Sequence, residues 1–247
     1  MKKLIVKRIG FDWASPPSRA VVMFTKYADI QNVELQQIRL TKNEHKTNEY
    51  KRLFPMQVVP SLLELDLNDP NYEFAITESA AIMRYLADTN SSKIPDGLYP
   101  KSDQNPQLRA KIDMMVDWNH VGLRYQSNRL IFLKYFVKLR KLDIVVSQSE
   151  VDETEKRMLN GLTILEMRLN EGHQYLIDDQ ISMADFSSLA DVTQLRFLIN
   201  CDQYLDQFPK VKQWQQKMFE LQAVKESHDV FFDLVQKSQE KYKDLLV

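Results

Sequence analysis

A polar, proline-containing stretch divides the chain. From Asp88 to Asn105 it carries Ser91-Ser92, Pro95, Gly97 and Pro100, with Pro106 just beyond, and this composition reads as an interdomain connection. Before it, strand and helix signals alternate; after it, only helical periodicity occurs. Such a chain is expected to fold as a mixed α/β unit followed by an all-α unit, and 247 residues suffice for two domains of ordinary size.

In the first unit, Lys3 to Ile9 reads as a strand. The turn-prone run Ala14-Ser15-Pro16-Pro17-Ser18 follows, then a helix from Arg19 to Ala28 with Val21, Phe24 and Ala28 at helical spacing. Val33, Leu35 and Ile38 suggest a second strand, and Glu44 to Arg52 has weak helical character. Pro60 opens a third strand, Ser61 to Leu65. A polar turn from Asp66 to Asn71 leads to a fourth, Glu73 to Ile76, and then to a helix carrying Ala81, Ile82, Tyr85 and Leu86. The expected order is βαβαββα. In the second unit, Pro106 to about Arg140 contains no internal proline, and Ser149 to Asp152 has capping-box spacing ahead of a helix to Asn170. Ser182 with Asp185 predicts another capped helix, with Ile181 and Phe186 as its hydrophobic staple. Pro209 suits the first turn of a further helix, and the tail holds Phe231, Phe232, Val235, Leu245 and Leu246.

Composition removes several classes of function. The formal charge is −1 without long runs of one sign, which disfavours nucleic-acid binding. The 5 glycines match neither a dinucleotide nor a P-loop fingerprint. With Cys201 the only cysteine, neither an intramolecular disulfide nor a cysteine-based zinc site is expected. His120 reads as a packing residue, so no metal site is proposed. No stretch approaches the ~20 apolar residues that span a bilayer, and the default compartment is the cytoplasm.

Chemistry is expected where strands end and helices begin, because free N–H groups there favour anions. Ser15 and Ser18 follow the first strand at the spacing of a redox Cys-x-x-Cys, but hydroxyls replace both thiols, which excludes disulfide exchange there. A hydroxyl at this place can donate to a bound anion; the alternative is that Ser18 simply caps the helix and Ser15 is a turn residue. Val58-Val59-Pro60 precedes a strand, where a cis peptide would leave the Val59 backbone open to an added strand, or where the proline simply opens the strand. Glu78 and Ser79 sit at another helix N-terminus and could hold an amino acid's ammonium and carboxylate, or serve only the helix dipole and the cap.

Taken together, Ser-Pro-Pro-Ser-Arg at 15–19, Val-Val-Pro at 58–60, Thr-Glu-Ser-x-Ala-Ile-x-x-Tyr-Leu at 77–86 and Ser-Met-Ala-Asp at 182–185 resemble the cytosolic glutathione transferases over nearly the whole chain. Ile9-Gly10-Phe11 has no tyrosine, and Ser15 four residues before Arg19 is similar to the serine loop of the theta class. The resemblance implies a thioredoxin-like glutathione-binding domain at 1–88, a linker at 89–105 and an all-helical electrophile-site domain at 106–247. It implies a homodimer, with glutathione as co-substrate and no cofactor. By position, Ser15 matches the donor to the glutathione sulfur, and Glu78 with Ser79 the pair holding the γ-glutamyl end. His45 and Lys46 match the segment near the glycyl carboxylate, and Val59 the residue whose backbone pairs with the cysteinyl part. Arg124 is similar to the theta-class arginine facing the site from the second domain, where it could stabilise the thiolate or an anionic leaving group. Trp13 and the apolar tail could line or cover the electrophile pocket; the tail could equally pack on the helical domain. Pro16, Phe54 and Val58 depart from the pattern, Val58 standing where a polar or basic residue is frequent.

The implied chemistry is conjugation of glutathione thiolate to small electrophiles, with thiol-dependent reduction of hydroperoxides as a second reaction. A thiol of pKa ≈ 8.5 is only about 3% ionised at pH 7, and lowering it to ~6.5 takes roughly 2.7 kcal/mol of preferential thiolate stabilisation. One hydroxyl bond to the anion plus a helix N-terminus is of that size, so Ser15 is expected to stay neutral and donate. The rival expectation is a non-catalytic binding or assembly module that keeps the fold, with Pro16 and Phe54 as its best support.

Overall fold

The computed structural model describes residues 4–243. Four strands, β1 (Ile5–Phe11), β2 (Val33–Gln37), β3 (Ser61–Asp66) and β4 (Asp69–Thr77), form one sheet in the order β2-β1-β3-β4. β2 runs parallel to β1, while β3 is antiparallel to both β1 and β4. Three helices complete this unit: α1 (Pro16–Tyr27), α2 (Asn48–Leu53) and α3 (Ser79–Thr89). The result is the expected βαβαββα order of a thioredoxin-like domain. Side-chain alternation splits the sheet between two cores. Ile9 and Leu62 join α1 and α3 in the main core, whereas Leu63 and Ile38 pack with Tyr50 and Phe54 of the α2 segment.

Several strand limits differ from the sequence reading, most of them by one residue and two by more. β1 ends at Phe11 rather than Ile9 because Gly10 pairs closely with Ser61; a Cβ on Gly10 would lie 2.4 Å from Ser61 Oγ. Lys3, the expected first residue of this strand, lies outside the described residues. β4 begins at Asp69 rather than Glu73, because Asp66 Oδ1 accepts from Asn68 N at 3.0 Å and closes the hairpin in a short turn. Pro70 is tolerated there since β4 is an edge strand.

The remaining elements are helical, as expected. α4 (Pro106–Asn119) starts from Asn105, whose side chain accepts from Leu108 N at 3.0 Å. It continues through a π turn, His120–Arg124, into α5 (Tyr125–Ile131), and through a second, Phe132–Phe136, into α6 (Val137–Leu139). α7 (Gln148–Asn170) crosses the first π turn so closely that a Cβ on Gly161 would sit 2.6 Å from the Gly122 carbonyl oxygen. Its cap is Ser147, not Ser149: Ser147 Oγ accepts from Glu150 N at 3.2 Å, so Glu150 occupies the third helical position. Glutamate suits that position of a capping box, which is why the earlier serine wins.

α8 (Met183–Gln194) is buried along its whole length and forms the predicted box with Ser182. Asp185 accepts from Ser182 N at 2.8 Å, Leu176 N at 3.0 Å and Trp214 Nε1 at 2.9 Å. α9 (Cys201–Leu205), α10 (Pro209–Met218) and α11 (Gln222–Lys241) close the chain. α1 packs against both α8 and α11, which joins the two units. Phe231 of the tail is fully buried, against Phe197 on one side and the Arg19 guanidinium, 3.6 Å from its ring centre, on the other. Leu245 and Leu246 lie outside the described residues.

Candidate functional site

Strand polarity gathers four candidate segments at one end of the sheet. Gly10 pairs with Gln36 and with Ser61, and Ser61 pairs with Thr77. The chain therefore leaves β1 toward Ser15, leaves β2 toward His45, enters β3 from Val59 and leaves β4 toward Glu78, all along one edge. Neighbouring strands lie ~4.8 Å apart, so this edge spans roughly 15 Å, the scale of a tripeptide.

Ser15 caps α1 in an extended conformation (φ −92°), and its Oγ accepts from Ser18 N at 3.4 Å. The hydroxyl hydrogen is left to donate. Pro16 and Pro17 fill the first helical positions, where the absent N–H costs nothing. The loop before Ser15 is fastened from both units. Asp12 accepts from Ala14 N at 2.8 Å and from Leu40 N at 2.9 Å. Gln194 Nε2 donates to the Ala14 carbonyl at 3.1 Å, and Arg19 Nη1 to that of Trp13 at 2.8 Å. Arg19 is fully buried, and its other terminal nitrogen donates to the Ala190 carbonyl and to Gln194 Oε1, each at 2.8 Å. Burial pushes its pKa down to about 9, which still leaves a cation at neutral pH, held by oxygen dipoles and the Phe231 ring. Trp13 is half-buried, packed edge-on against Phe11.

Glu78 starts α3 at φ +72°, a conformation uncommon for a side chain larger than glycine. Its carboxylate is exposed and has no hydrogen bond or ion pair among the described residues. Ser79 is buried, and the helix N–H groups around it have no side-chain cap. Arg124 reaches this point from the second unit: Nη1 donates to Ser79 Oγ at 3.2 Å, Nη2 to Ser187 Oγ at 3.3 Å and Nε to Asp191 Oδ2 at 3.0 Å. Asn119 Nδ2 also donates to Asp191, at 2.6 Å. Burial pushes the Asp191 carboxyl pKa up, while the Arg124 charge and the Asn119 bond pull it back.

The other two segments are more open. His45 lies in the short turn Glu44–Lys46, with its Nδ1 buried and unpartnered, and Lys46 beside it is exposed. Burial and the Lys46 charge lower the His45 pKa, so the ring is neutral at pH 7. The Val59-Pro60 peptide is cis, and the β3 ladder starts at Ser61, which leaves the Val59 backbone outside it. The Val59 side chain is buried beside Tyr50 and Phe54; Val58 is exposed, its carbonyl accepting from the Tyr50 hydroxyl at 2.7 Å. Ser15, Val59, Glu78 and Ser79 thus share one sheet end with Arg124 touching it, and His45 and Lys46 follow from β2. A cavity of about 1000 Å³ opens elsewhere, between α9, α10 and α11 around Phe219, Phe232 and Val235, and none of the candidate residues lines it.

Two family models match the chain: the glutathione S-transferase N-terminal domain over residues 10–88 and the C-terminal domain over residues 124–222. Human glutathione S-transferase theta-1 is 31% identical over 84% of this chain and 80% of its own. The chain belongs to the glutathione S-transferase family. Its relatives include glutathione S-transferase T1 of Arabidopsis thaliana, 29% identical over 95% of this chain and 92% of that protein. The apo structure of human glutathione S-transferase T1-1 superposes with a TM-score of 0.75 at 25% identity, covering 98% of this chain and 100% of that one. Human theta-2, solved in complex with glutathione, shares the fold with a TM-score of 0.79 at 23% identity over 97% of each chain.

Within this transferase fold, the side chains that fasten the site are ones the sequence did not single out: Asp12, Asn119, Asp191 and Gln194. Their signal was faint. α8 reads Asp-Val-Thr-Gln at its end, and only its burial reveals that these polar groups must find internal partners. His120 returns its Nδ1 to the Val116 carbonyl at 2.9 Å, a packing role. Among the described residues no three His, Cys, Asp or Glu side chains are grouped to hold a metal ion, and no helix is long and apolar enough to cross a membrane.

Proposed function

We propose that this protein binds glutathione at the sheet end and conjugates its thiolate to small electrophiles, with thiol-dependent reduction of hydroperoxides as a second reaction. One observation carries the reading. A hydroxyl with a free hydrogen, Ser15, shares an edge with the Glu78 carboxylate, unpaired among the described residues, and a helix N-terminus without a side-chain cap at Ser79. A thiolate needs the first, and an α-amino acid end needs the other two. The carboxylate of Glu78 faces the γ-glutamyl ammonium, and the Ser79 hydroxyl and N–H face its carboxylate. The Val59 backbone pairs with the cysteinyl unit beside Val58, and His45 and Lys46 attract the glycyl carboxylate.

Ser15 works by donating to the sulfur anion, so no base is needed to remove its own proton. The buried Arg19 cation behind the loop and the N-terminus of α1 add positive potential. Residues 1–88 then hold glutathione, 106–247 supply the electrophile side and 89–105 join them. The family supports a homodimer, and we place the protein in the cytoplasm. Pro16 and Phe54, the departures that favoured a non-catalytic module, have packing reasons: Pro16 occupies the first position of α1, and Phe54 fills the cluster under α2.

Calorimetric titration of glutathione tests the site. Micromolar-to-millimolar binding lost in Glu78→Ala is expected, and absence of binding to the unmodified protein would sink the reading. Ser15→Ala should lower kcat roughly tenfold, because it removes the hydroxyl's share of the roughly 2.7 kcal/mol and leaves the helix N-terminus in place, while glutathione binding stays nearly intact. Weakened binding with unchanged turnover of the remaining complex would remove Ser15 from this role.

A further inference from the structure

The Arg124 guanidinium spans the two units, and each of its nitrogens is engaged. Nε meets Asp191 of α8, Nη2 meets Ser187 one turn earlier on the same helix, and Nη1 crosses to Ser79 at the start of α3. Asp191 is fully buried and Arg124 is 11% exposed by side chain, so water competes little for either. A serine hydroxyl has one hydrogen and two acceptor lone pairs. Arg124 occupies the acceptor side of Ser79, and the Ser79 hydrogen has no acceptor among the described residues. Accepting from a cation also polarises the hydroxyl and makes it a better donor.

We propose that Asp191 is a positioning residue which, through Arg124, holds the Ser79 hydroxyl as a donor aimed at the α-carboxylate of the γ-glutamyl group. This rests on the glutathione reading given above, and it moves Arg124 from the thiolate or leaving group to the opposite end of the ligand. A buried ion pair retained for stability alone could be replaced by apolar side chains. The third arm, across the unit boundary to a helix N-terminus, is what such a pair would not need. Burial pushes the Asp191 carboxyl pKa up, and the Arg124 charge and the Asn119 bond pull against it; the anchor itself is the geometry, Arg124 Nε at 3.0 Å and Asn119 Nδ2 at 2.6 Å from Oδ2.

The test is a double-mutant cycle on glutathione affinity in the full chain. Asp191→Asn keeps the shape but removes the charge, and should raise the glutathione Kd roughly tenfold with kcat at saturation changed less than about twofold. In a Ser79→Ala background the same substitution should raise Kd by less than about twofold, since its effect passes through that hydroxyl. An analogue lacking the α-carboxylate, γ-aminobutyryl-cysteinyl-glycine, should bind the unmodified protein and Asp191→Asn equally. Arg124→Lys keeps a charge for Asp191 but cannot reach both partners as a fork, and it should repeat the Kd increase if Asp191→Asn folds poorly. Independent, multiplying effects of Asp191→Asn and Ser79→Ala would overturn the proposal. So would an equal penalty on the analogue, or a fall in kcat with unchanged Kd. Glutathione binding that survives Glu78→Ala would instead overturn the underlying reading, and the proposal with it.

Discussion

Two helices begin at the same end of the sheet and are built in opposite ways. α1 closes its own N-terminus: Ser15 is extended, buried, and accepts from Ser18 N. α3 leaves its N-terminus open, starting from Glu78 at φ +72° with an exposed carboxylate and no side-chain cap. Each is fastened by a different arginine. Arg19 lies behind the Ser15 loop with no ion pair among the described residues and donates to oxygen dipoles, whereas Arg124 is anchored on the buried carboxylate of Asp191. A closed helix end with a free hydroxyl and a cation behind it suits one anionic atom. An open end with a carboxylate beside it suits a zwitterion. Both fastenings originate on α8, so one buried helix sets the distance between the two ends of the ligand.

The largest effect expected from breaking this contrast is at Arg19. Arg19→Ala removes donors from the Trp13 and Ala190 carbonyls and from Gln194 Oε1 in a buried region, and leaves a void against Phe231. Unsatisfied groups and a cavity together should cost about 3–5 kcal/mol of unfolding free energy, measured by urea denaturation. A loss below about 1 kcal/mol, within the range of ordinary surface substitutions, would mean that the Ser15 loop is not fastened from beneath.

Glu78 should respond in the opposite direction. Holding a residue with a side chain at positive φ costs on the order of 1–3 kcal/mol, which the surrounding structure must offset. Glu78→Gly and Glu78→Ala both delete the carboxylate and should lose glutathione affinity alike. Only the glycine relieves the backbone, so it should be more stable than the alanine variant by roughly 1 kcal/mol in thermal denaturation. Equal stability would show that the open start of α3 is unstrained and that its conformation is not kept for the ligand.

Local chemistry made much of this contrast legible in the sequence. Ser15 ahead of two prolines and Glu78-Ser79 between a strand and a helix are signals of only a few residues; α3 starts where its signal put it, whereas α1 starts at Pro16 rather than Arg19, because Ser15 and not Ser18 is its cap. Their fasteners could not be read in the same way. Arg124 finds Asp191 across 67 positions and Arg19 finds Ala190 across 171, pairings fixed only once α1, α8 and the long helix have packed. The π turn that delivers Arg124 interrupts a segment whose sequence reads as continuous helix, since a single inserted residue leaves no gap in the apolar pattern. The reading of Ser149 as the cap failed for a smaller reason: Ser147 and Ser149 both have an acid three residues on, and the difference between those acids is a methylene.

The smallest effect concerns the third corner of the edge. His45 has its pKa lowered by burial and by Lys46, so it is neutral at pH 7 and gains its charge only as pH falls below its ordinary range. If the turn Glu44–Lys46 receives the glycyl carboxylate, the added cation should tighten binding on acidification. The thiol must be kept out of the measurement, because its own ionisation would weaken binding over the same change. S-methylglutathione, which has no ionisable thiol, should therefore gain two- to fivefold in affinity from about pH 7.5 to about 5.5, the size of a partly exposed ion pair. His45→Gln should flatten the profile, whereas a profile already flat in the unmodified protein would confine glutathione recognition to the two helix starts.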